Sequence, residues 1–228
     1  MKKSIATAAL GFCLVLPSMS MGGPPETFED KISYSMGYEV GNYFKGTGEI
    51  KKDSFIAGVE DAYKGTTPAM TPEEMLTVKK EFAGKMQALQ AAKLEEMKAK
   101  NKAEGEAYLA ENKKKKGVTT TPSGLQYEVI KEGQGKKAQA SDTVKVEYTG
   151  KLINGTEFDS TAKHGKPAEF QVEQVIKGWS EALQLMNVGS KMHIVIPPEL
   201  AYGENGAAPM IEPNSVLIFD VELLSISE

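Results

Sequence analysis

Between residues 28 and 45 the apolar side chains Phe28, Ile32, Met36, Val40 and Phe44 return at every fourth position. That spacing stacks them on one stripe of an α-helix. Gly37 and Gly41 lie on a neighbouring stripe, where they weaken the helix but let another helix come close. Phe55, Ile56, Val59, Ala62 and Tyr63 mark a second, shorter helix, with Asp53 as its expected N-cap. The string "TPEEM" announces a third. Thr71 caps it, Pro72 takes the first helical position and Glu74 is placed to close a capping box. Its apolar stripe of Met75, Val78, Phe82, Met86 and Leu89 covers only the first half. Beyond Met97 the chain is mostly Lys, Glu, Ala and Asn until Tyr108 and Leu109, so the far end reads as an exposed strut. It runs out in four lysines, 113–116, and Gly117.

From Leu125 the period changes. "LQYEVI", "TVKVEYTGKL", "KMHIVIP" and "SVLIFDVELLSI" are rich in β-branched and aromatic residues and read as strands. Asn154 and Gly155 signal a hairpin turn, Phe170 and Val172 alternate with polar residues, and 179–186 has helical spacing. The expected fold class is α+β: a helical region at 24–70, a long connecting helix and linker at 71–117, and an antiparallel sheet wrapped on a short helix at 118–228. Two short helices and half a strut enclose a core smaller than most that fold alone. Self-association, with Met36, Met75, Met86 and Met97 as adaptable packing, is the expected remedy; packing of both helices on the second half is the other.

Ahead of these elements, "MKKSIATAALGFCLVLPSMSMGG" has two lysines, an apolar run and small residues, the three parts of an export signal over 1–22. Phe12 is too large to precede a lipidated cysteine, and Cys13, the only cysteine, leaves with the signal. The remaining chain therefore needs no disulfide and has no membrane span. All 27 cationic side chains are Lys. Residues 24–117 balance at 16 Lys against 16 acidic residues, and from Val118 onward nine Lys face 15, a net charge of −6. With no guanidinium and no basic face, nucleic acid is excluded as a partner.

Covalent and metal chemistry have little to work with. Only His164 and His193 are available as a base or ligand, and His193, between Met192 and Ile194 on a strand, is expected to face solvent. No phosphate loop or dinucleotide fingerprint occurs, so no cofactor and no metal are expected. What remains is a set of aromatic residues near turns and one carboxylate, Asp159, directly after Phe158 at a strand end. Alone, Asp159 reads first as a turn cap, Tyr202 as a turn tyrosine, and Trp179 as core before it reads as the floor of a small apolar pocket.

Taken together, "VEYTGKLINGTEFDST", "QVIKGWSEALQLMNVGSK", "AYGENGA" and "PNSVLIFDVELL" resemble the FKBP-type peptidyl-prolyl cis-trans isomerases over about 118–228. "ISYSMGYEVGNYFK", "TPEEM", "GEAYLAENKKKKGV" and "TPSGLQYEVI" are similar to the branch of macrophage infectivity potentiator and FkpA-like proteins. The resemblance implies a V-shaped homodimer joined through its N-terminal helices, located in the periplasm or associated with the outer membrane or cell surface. It implies Trp179 as pocket floor and Tyr148, Phe158, Phe170, Val175, Ile176 and Phe219 as walls, with Met210 and Ile211 on an overhanging loop. The Ile176 N–H and Tyr202 hydroxyl would bond substrate carbonyls, while Asp159, oriented by Tyr148, would face the carbonyl that rotates. Substrates would be proline-containing unfolded or partly folded exported proteins, with macrolide inhibitors binding the same pocket. Departures from the family are His164 in place of a cation, often Arg, Ala168 in place of an aromatic, Gln174 in place of Glu, and a loop with few glycines and Glu212 in place of Pro. A non-catalytic chaperone and a surface-displayed virulence or adhesion factor, using the same pocket to bind, are the alternatives.

Overall fold

The computed structural model describes residues 23–48 and 50–227; the export signal read over 1–22, Cys13 included, lies outside them. The chain divides into two compact units between residues 86 and 87.

In the first unit, α1 (Phe28–Thr47) starts in a capping box that the sequence reading had not assigned. Thr27 Oγ1 accepts from Asp30 N at 3.1 Å, and the Asp30 carboxylate accepts from Thr27 N at 3.3 Å. Gly48, in the left-handed region, ends the helix by donating its N–H to Phe44 O. α2 (Lys52–Lys64) corrects the expected cap: Lys51 holds the N-cap position without a side-chain bond, and Asp53 lies inside the first turn. There its carboxylate complements the positive end of the helix dipole instead of capping it. The Phe44 ring meets that of Phe55 edge-on at 4.8 Å, pairing α1 with α2. Neither helix buries a single residue. α3 (Pro72–Asn112) opens in the expected box, with Thr71 N donating to Glu74 Oε2 at 2.8 Å and Glu74 N to Thr71 Oγ1 at 3.2 Å.

In the second unit, seven strands form one antiparallel sheet among the described residues. They are β1 (Thr119–Thr120), β2 (Gln126–Lys131), β3 (Thr143–Leu152), β4 (Glu157–Ser160), β5 (Ala168–Gln171), β6 (Lys191–Ile196) and β7 (Leu217–Ser227). The order is β1-β2-β6-β7-β3-β4, with β5 also on β3. The longest pairing, β3 with β7, runs from Thr143 opposite Ser227 to Leu152 opposite Leu217. Alternate residues Leu217, Phe219, Val221 and Leu223 on β7, and Ile194 and Ile196 on β6, point into the core against Trp179, Leu183 and Met186. Burying each large side chain contributes about 1.5–3 kcal/mol.

Two short helices complete the unit, α4 (Thr161–His164) and α5 (Lys177–Leu183). α5 begins and ends earlier than the apolar spacing over 179–186 predicts. Leu185 N and Met186 N bond to Ala182 O and Leu183 O, three residues back, so the chain tightens out of the α-helix there. The expectation of an exposed strut is corrected at the far end of α3. Gly105 and Asn112 are buried. A Cβ on Gly105 would stand 2.9 Å from Val216 Cγ2, so the helix lies directly on that side chain. Asn112 Nδ2 donates to Gln126 Oε1 at 2.9 Å, and Gln126 Nε2 donates to Leu109 O at 3.0 Å. This docking is made by amides and a glycine, which an apolar-period reading does not register.

Candidate active site

β3 carries Tyr148 and Gly150 into the middle of the sheet. Gly150 stands opposite Asp159 of β4 on one side and Phe219 of β7 on the other. A Cβ there would come within 2.7 Å of ring carbons of both Phe158 and Phe219, so only glycine lets these two rings close over the strand. They meet at right angles, 5.5 Å apart.

Trp179, on α5, is 5% exposed. Tyr148, Phe219 and Phe170 present edges to it at 5.2, 5.2 and 5.7 Å, all near perpendicular. Such edge-to-face pairs add about 0.5–1.5 kcal/mol each beyond their buried area. Val175 and Ile176 follow a 3-10 turn (Val172–Gln174) and pack partly buried against the same cluster. The Ile176 carbonyl accepts from Trp179 N and Ser180 N, while its own N–H makes no turn or cap bond among the described residues.

Asp159 lies at the rim of these rings. Its Oδ2 accepts from the Tyr148 hydroxyl at 2.6 Å. Its Oδ1 accepts from Ser160 N at 2.9 Å and lies 2.9 Å from His164 Nε2. Burial acts to raise the carboxyl pKa, but the hydrogen bonds from Tyr148, His164 and Ser160 outweigh it and hold Asp159 below its ordinary value. Burial first, then the bond to Asp159, pushes the Tyr148 phenol far up, so it remains a donor at any working pH. Thr161 fixes Tyr148 in place, its Oγ1 accepting from Tyr148 N at 3.1 Å and donating to Tyr148 O at 3.2 Å. The result is a carboxylate kept ionised beside an apolar cluster of aromatic rings.

Comparison with known proteins matches the chain to a family. The model of the family described as FKBP-type peptidyl-prolyl cis-trans isomerase matches residues 134–224, and that of the domain amino terminal to it matches 29–129. The outer membrane protein MIP of Legionella longbeachae is 43% identical over 231 residues, covering 100% of this chain and 99% of its own. The chain belongs to the FKBP-type peptidyl-prolyl cis-trans isomerases. The isomerase FkpA of Aeromonas hydrophila is 44% identical, over 93% of this chain and 81% of the relative. The crystal structure of FkpA from Escherichia coli superimposes with a TM-score of 0.74 at 38% identity, covering 89% of this chain and 98% of that one.

Within this isomerase, the remaining residues singled out from the sequence lie outside the buried ring cluster or at its margin. Tyr202 is 42% exposed. Met210 is exposed, whereas Ile211 is buried and joins the cluster containing Trp179 and Phe219. Ala207 and Ile211 exchange both backbone hydrogen bonds, at 2.8 and 2.9 Å, which closes the loop between them. His164, noted in the sequence as one of two available bases and as standing at the family's cation position, is a direct partner of Asp159. Gly150, Ser160 and Thr161 were not singled out at all. A glycine inside a β-branched run was the available signal for the first. His193 lies, as expected, on the sheet face away from the buried Met192 and Ile194, with its side chain 29% exposed, and there its Nδ1 stands 2.8 Å from Asp220 Oδ1 on the neighbouring strand.

Proposed function

We propose that the chain accelerates X-Pro isomerisation with Trp179 as floor, Tyr148, Phe158, Phe170, Val175, Ile176 and Phe219 as walls, and Asp159 as the charged group facing the rotating carbonyl. The observation that carries this reading is the ionised Asp159, held by Tyr148, His164 and Ser160 at the edge of the ring cluster. Rotation about a peptide bond breaks amide resonance, at a cost of about 18–20 kcal/mol, and X-Pro isomerisation unaided takes tens to hundreds of seconds. The planar amide places more negative charge on its carbonyl oxygen than the twisted one. A fixed carboxylate and a poorly solvating pocket therefore disfavour the planar ground state more than the transition state. Hydrogen bonds from the Ile176 N–H and Tyr202 hydroxyl would hold the flanking substrate carbonyls, and Met210 with Ile211 would close over them. No step requires a cofactor.

The substrates, on this reading, are proline-containing exported proteins, and the location is the periplasm or the outer membrane surface. The export signal at 1–22 and the name of the Legionella relative support this; among the described residues no helix is long and apolar enough to cross a membrane. Homodimerisation through α1 and α2 is supported by the exposed Phe28, Ile32, Tyr34, Met36, Tyr38 and Tyr43, and by the open space beside Gly37 and Gly41. Two pockets on one dimer would hold an unfolded chain at two points, which supports an accompanying chaperone activity. Macrolides of the kind that fill such pockets would compete with substrate.

The test is the exchange of a short X-Pro peptide between isomers, followed by NMR. The full chain should speed exchange many-fold at catalytic concentration, and sedimentation should give twice the chain mass. Unchanged exchange would defeat the assignment of the site, and a monomer mass would defeat the dimer.

A further inference from the structure

The loop 203–216 bears on the pocket at Ile211, yet its own internal support is thin. Ala207 pairs with Ile211, Asn214 N donates to Gly203 O at 2.9 Å, and Ser215 bonds to Glu212 O. Gly206 N also donates to Tyr202 O at 3.2 Å, and further polar ties come from α3. Asn101 Nδ2 donates both to Glu212 Oε2 at 3.0 Å and to Pro213 O at 2.9 Å. Asn214, in the left-handed region at φ 57°, donates its Nδ2 to Lys98 O at 3.2 Å. One turn further on, Gly105 lets α3 press on Val216 at the loop's end. Three successive turns of one helix thus hold the stretch 212–216, starting one residue after Ile211. Asn101 is the centre of this contact, one amide spanning a side chain and a backbone carbonyl 111 and 112 positions away.

We propose that Asn101 is a positioning residue for the isomerase reaction, holding the 203–216 loop so that Ile211 closes the pocket and Met210 stands at its rim. The connecting helix is then part of the site's architecture as well as a connector. Glu212 is the matching acceptor on the loop. The two residues act as a pair. Both bonds use the amide N–H of Asn101, so a carboxylate of the same shape cannot replace it and would face Glu212 with like charge. Substrate binding at the rim depends on this loop, whereas the Asp159 carboxylate is held from β3 and β4, and its neighbouring rings stand on β3, β4, β5, β7 and α5. The expected signature is therefore a raised KM with kcat preserved.

The proposal rests on the site assignment above, and the test separates the two. Peptide isomerisation by the full chain is measured for wild type, Asn101→Ala, Asn101→Asp, Glu212→Gln and Asp159→Ala, together with amide hydrogen exchange at Ala207 and Ile211. Asn101→Ala should raise KM about fivefold, the scale of losing one to two net hydrogen bonds of loop ordering. Asn101→Asp should raise it further, Glu212→Gln, which keeps an acceptor, should leave it near wild type, and exchange at Ala207 and Ile211 should quicken in the two Asn101 variants. Unchanged KM in both Asn101 variants, with Asp159→Ala still impaired, would overturn the positioning role alone. So would an equal fall in kcat and thermal stability without a change in KM, which would mark a structural contact only. A wild type without activity would instead overturn the site assignment.

Discussion

The Tyr148 hydroxyl donates to Asp159 Oδ2 over 2.6 Å, from the middle of β3 to the end of β4. The same ring stands edge-on to Trp179 at 5.2 Å. One residue thereby ties the Asp159 carboxylate to the rings around Trp179, and this coupling makes the effects of several substitutions separable.

Tyr148→Phe keeps the ring and removes the donor. The ring cluster and the fold should survive, while Asp159 loses its shortest hydrogen bond and some of its orientation. Peptide isomerisation should fall about tenfold, in line with a charge-assisted bond worth about 1.5–3 kcal/mol. A thermal midpoint near wild type, recorded alongside the kinetics, would separate this from unfolding.

The acid limit follows from the lowered pKa of Asp159. A carboxylate whose folded pKa is depressed contributes stability above its unfolded value, and that contribution is lost as pH falls through the folded value. Activity and the stability difference between wild type and Asp159→Asn should therefore persist as pH is lowered to the ordinary carboxyl value of 3.8 and decline only below it. His164→Ala removes one of the three stabilising partners, so the acid limb should move upward. A pH–rate profile of both proteins checks the direction. A limb that stays in place would show that His164 does not tune Asp159.

Gly150→Ala probes the ring closure directly. The added methyl would collide with Phe158 and Phe219, whose rings are themselves wedged against each other. Overpacking of this kind should cost about 1–3 kcal/mol in a denaturation experiment and reduce activity through displacement of Phe158. A fully stable, fully active variant would show that the rings have room to move.

Much of the molecule is legible in the sequence, for identifiable reasons. The stripe from Phe28 to Phe44 and the Thr71 and Glu74 box are local signals, and the helices form where these place them. "TVKVEYTGKL" coincides with β3 because an alternating β-branched run has one stable use at that length. The residues of the ring cluster were named through family resemblance, since no periodicity distinguishes a pocket wall from core. Gly150 and the Asn101 contact stayed hidden because each depends on chain segments far apart in sequence. Asp53 failed as a cap because the helix began two residues earlier, with Lys51 at the N-cap, a boundary that propensity alone does not fix. His193 found Asp220 only once β6 and β7 were in register.

The central claim is that catalysis comes from an ionised Asp159 beside an apolar pocket, without a covalent step. The most direct measurement is NMR exchange of a short X-Pro peptide in the presence of wild type, Asp159→Ala and Asp159→Asn, with folding of each verified by the fluorescence of Trp179, the chain's only tryptophan. Rapid exchange with wild type, and a loss of about tenfold or more in both folded variants, is the predicted result. Wild-type exchange that both variants retain in full would contradict the account and leave the aromatic pocket acting without the charge.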